Sequence, residues 1–242
     1  MRLTSLFFLA LICATTSNAW AVDKIYSPNV VKNEFELEYS ASGSFDHRHD
    51  KNHVQEHEFE MAYGFTDRFT LELSGELEKE PDHALKASSL AIGGHFQFFE
   101  QGENWIDSGL LISYGRAPNR AEADTLEAKL LFEKQTGPFL HRLNVGIEQE
   151  VGQHSTSSPE RLLGFNSRYL YNEHFQPGFE WQSNFGKASE HHDFDAQEHV
   201  AGPALYGEIM PRVKYEAAYL VGISDAAPRN TGRILLEYEM AF

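Results

Sequence analysis

Ile234-Leu235-Leu236-Glu237-Tyr238-Glu239-Met240-Ala241-Phe242 closes the chain. Counting back from the last residue in twos gives Phe242, Met240, Tyr238, Leu236 and Ile234, all apolar or aromatic. The intervening positions are Ala241, Glu239, Glu237, Leu235 and Arg233. Side chains of a strand alternate between its two faces, so this stretch is a strand with one apolar face and one largely charged face.

The same period recurs upstream. Phe35, Leu37, Tyr39, Ala41 and Phe45 alternate with Glu36, Glu38, Ser40, Ser42 and Ser44. Phe59, Met61, Tyr63 and Phe65 alternate with Glu58, Glu60, Ala62 and Gly64. Thr66-Asp67-Arg68 then leads into Phe69, Leu71, Leu73 and Leu77, interleaved with Thr70, Glu72, Ser74 and Glu76. Two period-2 runs joined by a tight polar turn are a β-hairpin. The alternation predicts twelve strands, over 34–45, 54–65, 69–79, 85–98, 105–116, 124–134, 139–151, 161–171, 175–186, 199–209, 212–223 and 231–242. No stretch holds a 3.6-residue period long enough for a helix.

Between these strands short and long connections take turns. The short ones are 66–68, 99–104, 135–138, 172–174 and 210–211; the longer, more polar ones are 46–53, 80–84, 117–123, 152–160, 187–198 and 224–230. An even strand count with that rhythm is what an up-and-down barrel spanning a membrane requires. The aromatic residues agree: Phe65, Phe69, Phe96, Trp105, Phe139, Tyr169, Phe175 and Phe242 fall beside the short turns or the C-terminus, where amphipathic rings collect at a membrane boundary. A soluble β-sandwich, with the apolar face turned inward, is the rival. The terminal Phe242, the turn rhythm and the export signal decide against it. The expected fold is therefore all-β: a transmembrane, antiparallel, up-and-down barrel of about twelve strands, with short periplasmic turns and longer external loops.

That signal is at the N-terminus. Arg2 precedes the apolar run Leu6 to Ala14, followed by polar 15–18 and Ala19-Trp20-Ala21. A basic n-region, a short h-region and an A-x-A site read as a secretory signal peptide, residues 1–21. Residues 22–33 are then expected as a periplasmic N-terminal segment and 34–242 as one outer-membrane barrel. The whole chain has 242 residues, 20 Lys+Arg and 36 Asp+Glu. Cleavage after Ala21 removes Arg2 and the sole cysteine, Cys13, leaving a net charge of −17. Without cysteine there is no disulfide scaffold, thiolate metal site or Cys nucleophile, and so acidic a chain lacks the footprint of a nucleic-acid binder. Mean hydropathy is −0.44 and no apolar run is long enough for a spanning helix, so composition alone reads as a soluble protein; the period of the pattern overturns that reading.

In this pattern the chain resembles Gram-negative outer-membrane β-barrel proteins. The resemblance rests on the A-x-A signal and on Ile234-x-Leu236-x-Tyr238-x-Met240-x-Phe242. The segments Gly64-Phe65-Thr66-Asp67-Arg68, Gly202-Pro203-Ala204-Leu205-Tyr206-Gly207 and Leu236-Glu237-Tyr238-Glu239 are similar to a group of uncharacterised proteobacterial barrel proteins. The resemblance implies an outer-membrane location, lipid as surroundings, and reading of Tyr238, Met240 and Phe242 by the barrel-assembly machinery.

One strand face carries Glu36, Glu38, Glu58, Glu60, Glu72, Glu76, Glu127, Glu148, Glu180, Glu216, Glu237 and Glu239 among eighteen carboxylates. Only Lys129, Arg142, Arg168, Lys214 and Arg233 share that side. Rings of carboxylates attract cations and repel anions, so the expected function is a porin-like channel or transporter that passes small cationic or neutral solutes. The alternative is a closed surface barrel whose loop histidines, in Asp46-His47-Arg48-His49-Asp50 and His191-His192-Asp193-Phe194-Asp195, bind divalent metal. Arg48 opposes a cation there and the spacing matches no tight metal motif, so no metal ligand and no cofactor is assigned. A third reading, a membrane hydrolase, has Ser155, Ser157 and Ser158 near His154, but these sit in a loop-like stretch with no G-x-S-x-G elbow. No catalytic residue is assigned and no enzyme is expected.

Overall fold

The computed structural model describes residues 22–119, 121–155 and 158–242; the proposed signal peptide lies outside the described residues. The strands are β1 (Glu34–Phe45), β2 (Gln55–Thr66), β3 (Phe69–Lys79), β4 (Lys86–Gln97), β5 (Asp107–Arg116), β6 (Asp124–Thr136), β7 (Phe139–Val151), β8 (Glu160–Tyr169), β9 (Gln176–Lys187), β10 (Glu198–Met210), β11 (Val213–Gly222) and β12 (Asn230–Ala241). Every bound lies within two residues of the expectation. Each strand pairs antiparallel with its sequence neighbours, and β1 closes on β12, giving a closed twelve-stranded barrel. The closing seam runs in continuous register from Glu34 opposite Ala241 to Phe45 opposite Asn230. Closure leaves no strand edge unpaired, which a membrane demands because it supplies no hydrogen-bonding solvent.

The alternation is realised as expected. Leu37, Phe59, Leu73, Ile92, Ile112, Leu130, Ile147, Phe179, Tyr219 and Ile234 are exposed on the outer wall. Opposite in phase, Glu38, Glu60, Glu72, Lys129, Glu133, Asn144, Glu180 and Arg233 are buried inside. The periplasmic rim is aromatic: Phe69 packs on Phe96 at 4.7 Å and Phe139 on Tyr169 at 5.2 Å between ring centroids, with Trp105 and Phe242 each 77% exposed at the edge. The turn rhythm has one departure: the β4–β5 connection spans 98–106, longer than the opposite-side β3–β4 connection.

Residues 22–33 depart from the expectation. In place of a tail on the periplasmic side, they run inside the barrel. Asn33, with φ at 59°, turns the chain inward at the foot of β1, and its amide donates to the Gly64 carbonyl at 2.8 Å. A Cβ on Gly64 would stand 2.0 Å from the Val31 carbonyl oxygen, so only glycine lets the segment cross β2. Farther in, a Cβ on Gly164 would press on the Ile25 side chain at 3.1 Å.

Candidate functional site in the barrel lumen

The segment 22–33 is not a strand, so its backbone polar groups need partners from elsewhere. Inward-facing carboxamides supply them. Asn144 accepts from the Tyr26 amide at 2.7 Å and donates to the Tyr26 carbonyl at 3.0 Å. Gln182 does the same for Asp23, at 3.0 and 2.7 Å, and Gln97 accepts from the Val30 amide at 2.8 Å. A side-chain amide carries one acceptor and an NH₂ donor, so it stands in for a neighbouring strand.

Side chains fasten the segment further. Val22 joins Val200, Ala204, Tyr206, Ala218, Leu220 and Ala227 in the one apolar cluster formed inside the described residues. Ile25 is 1% exposed. Lys24 is ion-paired with Glu38 and, at 3.4 Å, with Glu60. Lys129 bridges Asp23 at 2.9 Å and Glu127 at 2.6 Å, and both ammonium groups lie over the Tyr26 ring, at 4.9 and 5.6 Å. Ser27 and Asn29 both donate to Glu133, at 3.0 and 2.9 Å, which also accepts from Arg142 Nε at 2.7 Å.

Two cavities flank this segment. The outer one, about 150 Å³, is lined by Asp23, Lys24 and Tyr26 together with inward residues of the external halves of β2–β7. Its walls carry eight carboxylates (Asp23, Glu56, Glu58, Glu60, Glu72, Glu76, Glu127 and Glu148) against Lys24 and Lys129. The inner one, about 490 Å³, opens toward the short turns and is lined by Ser27, Asn29, Trp105, Leu140 and a mixed charge set: Asp107, Glu133, Lys134, Arg142 and Arg168. Tyr26 marks the divide.

The residues singled out in the sequence thus fall into separate groups. Glu58, Glu60, Glu72, Glu76, Glu127, Glu148 and Lys129 meet at the outer cavity, and Arg142 and Arg168 at the inner one. Arg233 bridges Glu180 at 2.7 Å and Glu216 at 3.1 Å in the opposite wall, where Tyr206 also donates to Glu180 at 3.1 Å. Lys214 is paired with Glu239 and, at 3.4 Å, with Glu237, near the foot of β12. Glu36 clusters with Glu34 and Glu239, the one group of three metal-capable side chains close enough to share an ion among the described residues. Tyr238, Met240 and Phe242 follow the outward phase, with Leu37 opposite Tyr238 and Phe35 opposite Met240.

The loop histidines stay apart. His47 pairs with Asp46 at 3.3 Å, His49 with Asp82 at 2.8 Å and His192 with Glu190 at 2.9 Å. Arg48 locks the first loop: its Nε and Nη2 donate to the two Asp46 oxygens at 3.0 and 2.6 Å. Those bonds, ahead of bonds from the Arg48 and Arg229 backbone amides, hold the Asp46 carboxyl well below its ordinary range. Ser155 donates to the Gly152 carbonyl and Ser158 accepts from the Ser189 amide, so these candidate serines shape their loop; Ser157 lies outside the described residues.

Sequence reasoning missed Gln97, Asn144, Gln182 and the segment they hold. The available signal was three carboxamides at inward positions of β4, β7 and β9, with no strand alternation across 22–33.

No protein-family model matches the sequence, and no curated protein matches it. Solved structures do. The chain is similar to the "COG4313 outer membrane channel from Pseudomonas putida F1", with a TM-score of 0.62 at 11% identity over 93% of this chain and 98% of that one. It is similar to the NanC porin, TM-score 0.58 at 9% identity over 85% and 100%. The KdgM porin gives 0.56 at 9% identity over 84% and 98%. At such identities the likeness carries the fold. That porin-like fold, together with a closed sheet and an apolar outer wall edged by aromatic rings, places the chain in the bacterial outer membrane.

Proposed function

We propose that the protein is an outer-membrane channel for small solutes, favouring cationic and neutral ones, with residues 22–30 forming its constriction. The observation that carries this reading is the outer cavity, where eight carboxylates face two lysines. Carboxylates lining a narrow passage with low-dielectric walls concentrate cations and repel anions. The outer cavity selects by charge. The mixed set around the inner cavity releases what has passed Tyr26.

Reconstituted in a planar bilayer under a KCl gradient, the protein should give a reversal potential of the sign set by K⁺. Exchanging Glu127 and Glu148 for Gln should move that potential toward zero. Preference for Cl⁻, or no conductance from correctly folded protein, refutes the channel reading.

A further inference from the structure

Ser183 and His199 face each other across the β9–β10 ladder. Their neighbours Gln182 and Val200 face the segment inside the barrel, so this pair belongs to the outer wall, at its external end. A hydrogen-bonded polar pair on a lipid-facing wall is costly to place and marks function more often than structure. Both residues are buried, at 0 and 1% exposure. The cover is aromatic: Phe194, in the three-residue turn Phe194–Ala196 of the β9–β10 loop, stacks on the His199 ring at 4.3 Å, and Phe185 meets its edge at 5.4 Å.

The hydrogen bonds have a defined direction. The Gln197 side-chain NH₂ donates to the His192 carbonyl at 2.8 Å, which turns its oxygen toward His199 Nε2, 3.0 Å away. An oxygen there only accepts, so Nε2 carries the ring hydrogen. Nδ1 then holds a lone pair and accepts the Ser183 hydroxyl hydrogen at 2.6 Å. This is an activated nucleophile, a base on the serine and a third group orienting the base.

We propose that Ser183 and His199, positioned by Gln197, form a second site on the outer wall that hydrolyses the acyl ester of an outer-leaflet lipid, with Phe194 as its lid. Ser183 Oγ bonds to the ester carbonyl carbon as its proton passes to His199 Nδ1. The carbon–oxygen bond to the alcohol breaks, and Nδ1 returns the proton to the departing alkoxide. Water, deprotonated by Nδ1, then cleaves the acyl-serine and releases a fatty acid. Ser183 and His199 are the catalytic residues; Gln197 is a positioning residue.

The test uses the full-length barrel in detergent micelles, its folding verified by heat-modifiable gel mobility, and a fluorophosphonate probe read by intact mass. Phe194→Ala should take one adduct, mapped to Ser183, several-fold faster than wild type; Ser183→Ala should take none. His199→Gln keeps a partner for the hydroxyl but loses the base, and labelling should fall at least a hundredfold, the scale of general-base catalysis. Gln197→Glu should move the pH profile of labelling to higher pH, because a carboxylate favours the imidazolium. Phosphatidylethanolamine vesicles and lipid A are then offered in parallel. Fatty acid released from either supports the proposal and identifies the source of the ester. Folded Phe194→Ala that stays unlabelled at Ser183, His199→Gln that labels at the wild-type rate, or labelling without fatty acid from either lipid each overturns it.

Discussion

Asn144→Ala should loosen the segment inside the lumen without opening the barrel. Asn144 makes two hydrogen bonds to the Tyr26 backbone, and a neutral intramolecular hydrogen bond contributes about 1 kcal/mol net. Losing both removes about 2 kcal/mol from the docked state, or roughly thirtyfold in its equilibrium with an undocked one. Ile25 reports on that equilibrium because it is 1% exposed when docked, and because Cys13 is the only cysteine in the sequence. In an Ile25→Cys background, a water-soluble maleimide should label the Asn144→Ala protein about thirty times faster than its parent when docking is fast relative to labelling. Asn144→Asp should be worse still, since its carboxylate meets the Tyr26 carbonyl. Labelling rates within twofold of each other would refute the argument that side-chain amides hold this segment in place.

Two further outcomes follow from the charge pairs of the wall and the external mouth. Arg233→Met leaves Glu180, 0% exposed, without its guanidinium; stripping one partner from a buried pair costs about 3–5 kcal/mol. Denaturant titration should show that loss, and adding Glu180→Gln should recover part of it; a loss below about 1 kcal/mol would contradict the burial of the pair. At the external mouth, the Asp46 carboxyl is depressed by Arg48. Its contribution to stability is complete above the unfolded aspartate value near 4 and declines as pH falls from there through the lower folded value. The melting-temperature difference between wild type and Asp46→Asn should therefore be level from pH 8 to about pH 5 and shrink below about pH 4. A difference that vanishes already near pH 6 would show that the bridge does not form.

The strands were legible because a bilayer imposes one simple rule on both faces of every strand. Phe242, Met240 and Tyr238 had to point one way and Glu239 and Glu237 the other, whatever the details of packing. The segment 22–33 obeys no such rule. Its partners are carboxamides 67 to 159 positions away, and a carboxamide on an inward face looks the same whether it meets water or a peptide group. Val200 and Leu220 illustrate the cost. They interrupt the polar inner face and read as noise in the alternation, yet they form the apolar seat for Val22. Ser183 and His199 were hidden for a related reason: their pairing depends on the register of β9 against β10. The loop fold that brings down Phe194 has no period at all.

A cylinder that encloses a stretch of its own chain constrains the order in which it is built. The seam between Glu34–Phe45 and Asn230–Ala241 shuts around residues 22–33, whose Gly64 crossing leaves no slack at the base. Either this segment is laid in before the first and last strands zip together, or it is drawn up through the narrow end afterwards. A bulky fusion ahead of Val22 would obstruct both routes, so an affinity handle is better grafted onto the 80–85 connection, where it can hang free of the bore.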